Sequence, residues 1–243
     1  MSGHSKWSTI KRKKGANDAA RAKVFTKIGR ELAVAVKQGG PDPSVNTKLK
    51  DIIAKAKQNN VPGDNIDRML KKAAGETDTA NYEEIIYEGY GPSGVAVVVE
   101  ALTDNRQRTA PEIRHYFDKY GKGMGAQGCV SWSFDRKGVI VIDNEDGELD
   151  EDTVMMDALD AGAADFQPEE GCFTVYTDPA DFNDVAKALE DKGYKFESAQ
   201  IEMVPQNYQK LENPEDISNM EKMLDIFEDD DDVQNVWHNW DQD

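Results

Sequence analysis

From Asp18 to Lys37 the apolar residues Val24, Phe25, Ile28, Leu32, Ala35 and Val36 recur at the three- and four-residue spacing of one helix face. Gly39-Gly40-Pro41 stops that helix. A second helix is predicted from Ser44 to Asn59, with Leu49, Ile52, Ile53 and Ala56 as its buried stripe. Pro62-Gly63-Asp64 breaks the chain again, and Asp64 is placed as the N-cap of a short third helix carrying Ile66, Met69, Leu70 and Ala73. Residues 18–80 therefore read as a helical domain, preceded at 1–17 by a basic arm with no periodicity.

The pattern then changes to mixed strand and helix. Glu83–Tyr87 and Val95–Ala101 are predicted strands joined by Gly89-Tyr90-Gly91-Pro92-Ser93-Gly94, followed by a helix over Thr109–Tyr120 and a strand over Val130–Phe134. After Arg136-Lys137-Gly138 comes strand 139–142, helix 151–162, strands 164–167 and 172–176, helix 179–192 and strand 195–203. The order βαββαβ is that of a split-βαβ, ferredoxin-like unit. A helix at 213–227 and a strand at 233–238 remain. The expected class is α+β and multidomain: an N-terminal helical domain followed by two ferredoxin-like α/β sandwich domains. Residues 81–137 plus 205–243 form one of them, with 138–204 inserted in it. A separate helix-strand tail is the alternative.

Charge changes this picture. The chain is acidic overall, at a formal −18, yet residues 1–80 hold 17 Lys and Arg against 8 Asp and Glu, a net +9 that leaves −27 for the rest. A basic block on an acidic protein marks a surface for a polyanion. No apolar run is long enough to span a membrane, and no apolar stretch follows the basic N-terminus as in a secretory signal. The two cysteines, Cys129 and Cys172, fit a reducing cytoplasm better than a disulfide framework.

Three groups of residues are candidate contacts. In the arm, Lys6, Lys11, Arg12, Lys13 and Lys14 surround one aromatic, Trp7. Cations neutralise phosphates and an indole stacks on an unpaired base, although a solvated tail with a docked Trp7 fits the same residues. On the first helix Lys23, Lys27, Arg30 and Lys37 fall within a sector of about 80°. Lys48 and Lys55 make a shorter row on the second. Such rows are often solvated faces; here the scarcity of acids on the same segment argues that ion pairing does not consume the charge. The third group is Arg106, Arg108 and later Arg114, beside Thr103-Asp104-Asn105 at a helix start. These arginines either grip phosphates or pair with neighbouring acids while Asp104, Asn105 or Thr109 caps the helix.

Other motifs lead nowhere catalytic. Gly123-Met124-Gly125-Ala126-Gln127-Gly128 fits GxGxxG, but it follows a helix and precedes a strand, the reverse of a dinucleotide cradle. It reads as a flexible glycine loop and a candidate contact loop, not as a cofactor cradle. Aligning Gly147 with the glycine of a calcium loop puts Ile142 where a carboxylate is required. His4, His115 and His238 lack metal-ligand spacing, neither cysteine has a nearby histidine, and no serine sits in a nucleophile elbow. Glu228–Asp232 reads as a solvated connection. The expectation is a protein without catalytic residues, cofactor, metal or small-molecule substrate, acting as a monomer on nucleic acid and not on a membrane.

Gly3-His4-Ser5-Lys6-Trp7, with Ile10-Lys11, Lys13-Lys14, Asp18-Ala19, Arg21, Phe25 and Arg30-Glu31, resembles the YebC family. Gly39-Gly40, Asp42-Pro43, Asp64-Asn65-Ile66, Tyr87-Glu88-Gly89-Tyr90-Gly91-Pro92 and Thr103-Asp104-Asn105-Arg106 extend the resemblance over nearly the full length. Gly121-Lys122-Gly123-Met124-Gly125 departs from the Gly-Gly-Asn arrangement of many members, and Gln107 from a frequent Asn. The resemblance implies a helical domain followed by two α/β domains and a cytoplasmic DNA-binding transcriptional regulator. It also implies an alternative, since other members act in translation: a ribosome- or rRNA-binding factor that relieves stalling on proline-rich stretches. By the same analogy Lys6, Trp7, Lys11, Lys13, Lys14, Arg106 and Arg108 are nucleic-acid contacts.

Overall fold

The computed structural model describes residues 18–75 and 82–242. They form two compact units, one running through Trp132 and resuming over Leu211–Asn239, the other made of Ser133–Lys210 and the terminal residues from Trp240.

The first unit begins with three helices, α1 (Asp18–Gly39), α2 (Thr47–Gln58) and α3 (Gly63–Gly75). Their apolar stripes meet in one cluster of Ile28, Leu32, Ala35, Val36, Leu49, Ile52, Ala56, Val61 and Ile66. The turn between α1 and α2 is organised by a buried side chain, Asn46. Its Oδ1 accepts from Leu49 N at 3.1 Å, capping α2, while its Nδ2 donates to Ala35 O and Gly40 O at 2.8 Å, closing the end of α1. The paired glycines follow from that contact. A Cβ on Gly39 would sit 2.7 Å from the Asn46 side chain, and Gly40 has φ +83°, where a side chain is strained.

A four-stranded antiparallel sheet completes the unit. Strands β1 (Glu83–Tyr90) and β2 (Ala96–Thr103) form a hairpin, paired from Glu83↔Thr103 to Tyr90↔Ala96. After helix α4 (Arg106–Tyr120), a two-residue strand β3 (Gly123–Met124) pairs with the end of β1. Helix α7 (Pro214–Asp229) and strand β9 (Val233–His238) return from the other unit to add to β2, giving the order β3-β1-β2-β9. α4 and α7 pack through Phe117 and Phe227, whose rings lie 5.2 Å apart.

The second unit runs β4 (Phe134–Asp143), α5 (Glu151–Asp160), β5 (Asp165–Glu169), β6 (Cys172–Thr177), α6 (Phe182–Asp191) and β7 (Phe196–Pro205). The strand order β5-β6-β4-β7, antiparallel throughout, is that of a split βαβ fold. Ile140, Ile142, Val154, Phe173, Val175, Val185 and Leu189 fill its core. A short parallel pair, β8 (Gln209–Lys210) with β10 (Trp240–Asp241), closes it.

The structure corrects the expected strand at Val130–Phe134. Ser131–Ser133 is a 3-10 turn, and Phe134 opens one ten-residue strand that continues through Arg136-Lys137-Gly138. Gly138 does not break β4, because it marks a close approach: a Cβ there would lie 2.2 Å from Thr177 Oγ1 and 2.6 Å from the Phe182 ring. The compact units divide at Ser133 and Lys210.

Candidate nucleic-acid interface

The arm residues Lys6, Trp7, Lys11, Arg12, Lys13 and Lys14 lie outside the described residues. The basic face of α1 is described, and three of its four cations, Lys23, Lys27 and Arg30, reach the end of α7. Lys23 Nζ lies 2.7 Å from Asp229 Oδ1 and donates to Asp229 O at 3.1 Å. Lys27 Nζ donates to Glu228 O at 2.8 Å. Arg30 Nη1 reaches Asp231 O and Asp232 Oδ1, each at 2.7 Å. The carbonyls at a helix C-terminus lack intrahelical partners and carry the negative end of the helix dipole, so a cationic face is a natural cap for them.

This arrangement corrects the expectation that ion pairing leaves the α1 charge unspent. The acids are scarce within the segment, but they come from more than 200 positions later. Glu228–Asp232 is likewise not solvated throughout: Asp229 and Asp231 are exposed, but Asp232 is only 5% exposed. The second-helix row is paired too, Lys48 with Glu84 at 2.5 Å and Lys55 with Glu31 at 2.8 Å.

Asp232 is the centre of the arrangement. Its Oδ1 accepts from Arg30, and its Oδ2 accepts from Arg108 at 2.7 Å, Thr109 at 2.7 Å and Thr103 at 3.1 Å. Its backbone carbonyl accepts from Leu102 N at 2.7 Å. One carboxylate thereby ties α1, the end of β2 and the first turn of α4. Burial alone would raise its pKa, but the hydrogen bonds from Arg108, Thr109, Arg30 and Thr103 outweigh burial and bring it down to about 2.

The two readings of the arginine segment are thereby separated. Asn105 is the N-cap of α4, its Oδ1 accepting from Arg108 N at 3.1 Å. Arg108 is held by Asp104 and Asp232. Arg106 stands exposed at the first residue of the helix, and Arg114 lies further along it, also exposed. Sequence reasoning missed Asp232, although the small hydroxyls Thr103 and Thr109 flanking Arg108 are the kind of groups that coordinate a buried carboxylate.

The glycine loop has its own anchor, also unforeseen. Glu88 on β1 is 3% exposed, and its carboxylate accepts from the backbone N–H groups of Gly128, Val130 and Ser131 at 2.8, 2.9 and 2.8 Å. Burial raises its pKa, and these three donors overcome burial to hold it below the usual glutamate value. Among the described residues no group of His, Cys, Asp and Glu is placed to hold a metal ion, and no helix is long and apolar enough to cross a membrane.

Comparison with known proteins bears on this arrangement. The family model for the TACO1/YebC protein N-terminal domain matches residues 5–76, and that for the TACO1/YebC second and third domain matches residues 82–240. A probable transcriptional regulatory protein of Ruminiclostridium cellulolyticum is 59% identical over 243 residues, covering 100% of this chain and 98% of the relative. One of the same description from Acetivibrio thermocellus is 59% identical over 240 residues, covering 99% of each. The crystal structure of a conserved hypothetical protein from Aquifex aeolicus superimposes with a TM-score of 0.82 at 43% identity, over 92% of this chain and 91% of that one.

Proposed function

Because the chain belongs to the TACO1/YebC family, we propose that it is a non-enzymatic, nucleic-acid-binding regulator of gene expression. The observation that carries this reading is the net +9 on residues 1–80 of a chain whose total is −18. The relatives' description as probable transcriptional regulatory proteins supports a role in transcription, with DNA as the polyanion. In this reading the arm (Lys6, Trp7, Lys11, Arg12, Lys13, Lys14) and the helical domain meet the phosphates, and Arg106 adds a contact at the start of α4. Lys23, Lys27, Arg30 and Arg108 are held by carboxylates and carbonyls, so they join only where phosphate competes with those acceptors. The acidic remainder of the chain repels a long duplex and confines contact to the basic end. The protein acts in the cytoplasm, as a monomer.

A second reading, a translation factor on ribosomal RNA, is favoured by the single indole Trp7 set among cations, which suits unpaired bases better than a duplex. Titrating affinity against salt tests the polyanion reading. For about six phosphate contacts, log affinity falls against log salt with a slope of about −4 to −5. A flat response overturns it. Footprints on promoter DNA without ribosome co-sedimentation select transcription, and the reverse selects translation.

A further inference from the structure

In that reading the arm and the helical domain supply the phosphate contacts, and an anchored surface feature of the first unit is left unused. Trp132 is 72% exposed at the end of the glycine loop, and Tyr90 at the end of β1 is 38% exposed. Both are tied to one atom: Trp132 Nε1 donates to Cys129 O at 3.0 Å, and Tyr90 Oη donates to the same carbonyl at 3.1 Å. The segment carrying that carbonyl is in turn fixed by Glu88, whose buried carboxylate takes the N–H groups of Gly128, Val130 and Ser131. Burying a charge is costly, and here it is spent on holding a surface turn. The close packing agrees, since a Cβ on Gly125 would meet Cys129 Sγ at 2.4 Å.

We infer that Trp132, with Tyr90 beside it, is a stacking platform for an unpaired nucleobase. The inference rests on the nucleic-acid reading above and assigns it a second contact, remote in sequence from the arm. Three features choose this occupant. The polar edge of each ring is already bonded to Cys129 O, which leaves the π faces as the recognition surface. The surrounding loop is small and polar, with Ala126, Gln127 and Gly128 exposed, and is not the contiguous apolar patch that a protein partner needs. A cation is at hand for the adjoining phosphate: exposed Lys122 is joined to the end of β1 by its N–H to Tyr90 O at 2.8 Å. Aromatic stacking beside a basic side chain is the usual means of holding a single strand without reading its sequence.

The test uses two fluorescent 15-nucleotide single strands with equal phosphate counts, one of deoxythymidine and one of abasic residues, bound to the full chain. Trp132→Ala is expected to weaken binding of the thymidine strand roughly 5- to 150-fold, the range for one lost stacked base, and to leave the abasic strand unchanged. Trp132→Phe is expected to restore most of the loss. The ring is solvent-exposed, so an unchanged thermal melt accompanies both variants. The inference is overturned if Trp132→Ala leaves the thymidine strand unaffected, or if it weakens both strands equally. Should the wild-type chain bind neither strand, the platform falls, and duplex DNA titrated against salt alongside decides whether the polyanion reading falls with it; strong, salt-dependent binding of both strands with no effect of Trp132→Ala removes the platform alone.

Discussion

At the scale of single residues, two buried carboxylates and one buried amide do most to specify the first unit. Asp232 is held down to about 2, against 3.8 for a free aspartate. A depressed carboxylate contributes stability above its unfolded pKa and loses it as pH falls towards the folded value. The shift corresponds to about 2 kcal/mol, present at neutral pH and lost between pH 4 and about 2. Glu88 shifts in the same direction, so its contribution also fades on acidification. Chemical denaturation at pH 7 and at pH 3 should show this loss, and Asp232→Asn should show a smaller pH dependence over the same interval. Asp232→Ala removes the shared acceptor of Arg30, Arg108, Thr103 and Thr109 and is expected to cost about 3–5 kcal/mol at neutral pH. Asn46→Ala strands Leu49 N, Ala35 O and Gly40 O together, and a loss of about 2 kcal/mol in unfolding free energy, read from chemical denaturation, is expected. Asn46 was not legible as a cap, because the predicted helix began at Ser44 and so placed Asn46 inside it, whereas the helix begins at Thr47. That it serves two helices at once depends on α1 ending beside it.

At the scale of elements, the contact between α1 and α7 decides what the basic face can do. Lys23 and Lys27 cap carbonyls of the last turn of α7, and Arg30 joins the carboxylate just beyond it. The Lys23–Asp229 pair is largely exposed and adds little, whereas Arg30–Asp232 is mostly buried and adds more. A double-mutant cycle of Arg30→Ala and Asp232→Ala should therefore give a coupling energy of about 1–3 kcal/mol, and one of Lys23→Ala and Asp229→Ala below about 1 kcal/mol, both read from equilibrium unfolding. The helices themselves were legible, because a period near 3.6 is written into neighbouring residues. The split βαβ order was legible for the same reason. The strand limits around Gly138 were not, since a glycine at a close approach looks in one dimension like a glycine at a break. The two-residue strand Gly123–Met124 was invisible too, being too short to carry a period and existing through its pairing with Gly89 and Tyr90.

At the scale of the whole molecule, charge is divided between an N-terminal third at +9 and a remainder at −27, and the folded chain draws part of the first onto part of the second. The cations that α1 shares with Glu228–Asp232 are already compensated. Charge reversal in the arm is therefore expected to matter more for binding than neutralisation on α1. Arg12→Glu with Lys13→Glu and Lys14→Glu should lower affinity for single-stranded and duplex nucleic acid alike and flatten the salt slope by about 2–3. Lys23→Gln with Lys27→Gln should change that slope by less than about 1 while lowering stability. Fluorescence anisotropy over a salt series separates these outcomes, and a larger slope change for the α1 variant would return that face to the interface.

The amino-acid sequence by itself determined the helical region, the α/β order of the later elements, the basic arm and the family, through the arm motif and the Tyr87–Pro92 and Thr103–Arg106 segments. Each is a matter of local period, composition or contiguous motif, which a chain carries before it folds. Only the tertiary structure decided which carboxylates meet which cations, why Glu88 is buried, and that Trp132 and Tyr90 share one carbonyl. The pairings among them that link separate elements join residues from 24 to 206 positions apart. No local pattern encodes such a pairing; it arises when buried polar groups must find partners in the space that packing leaves them.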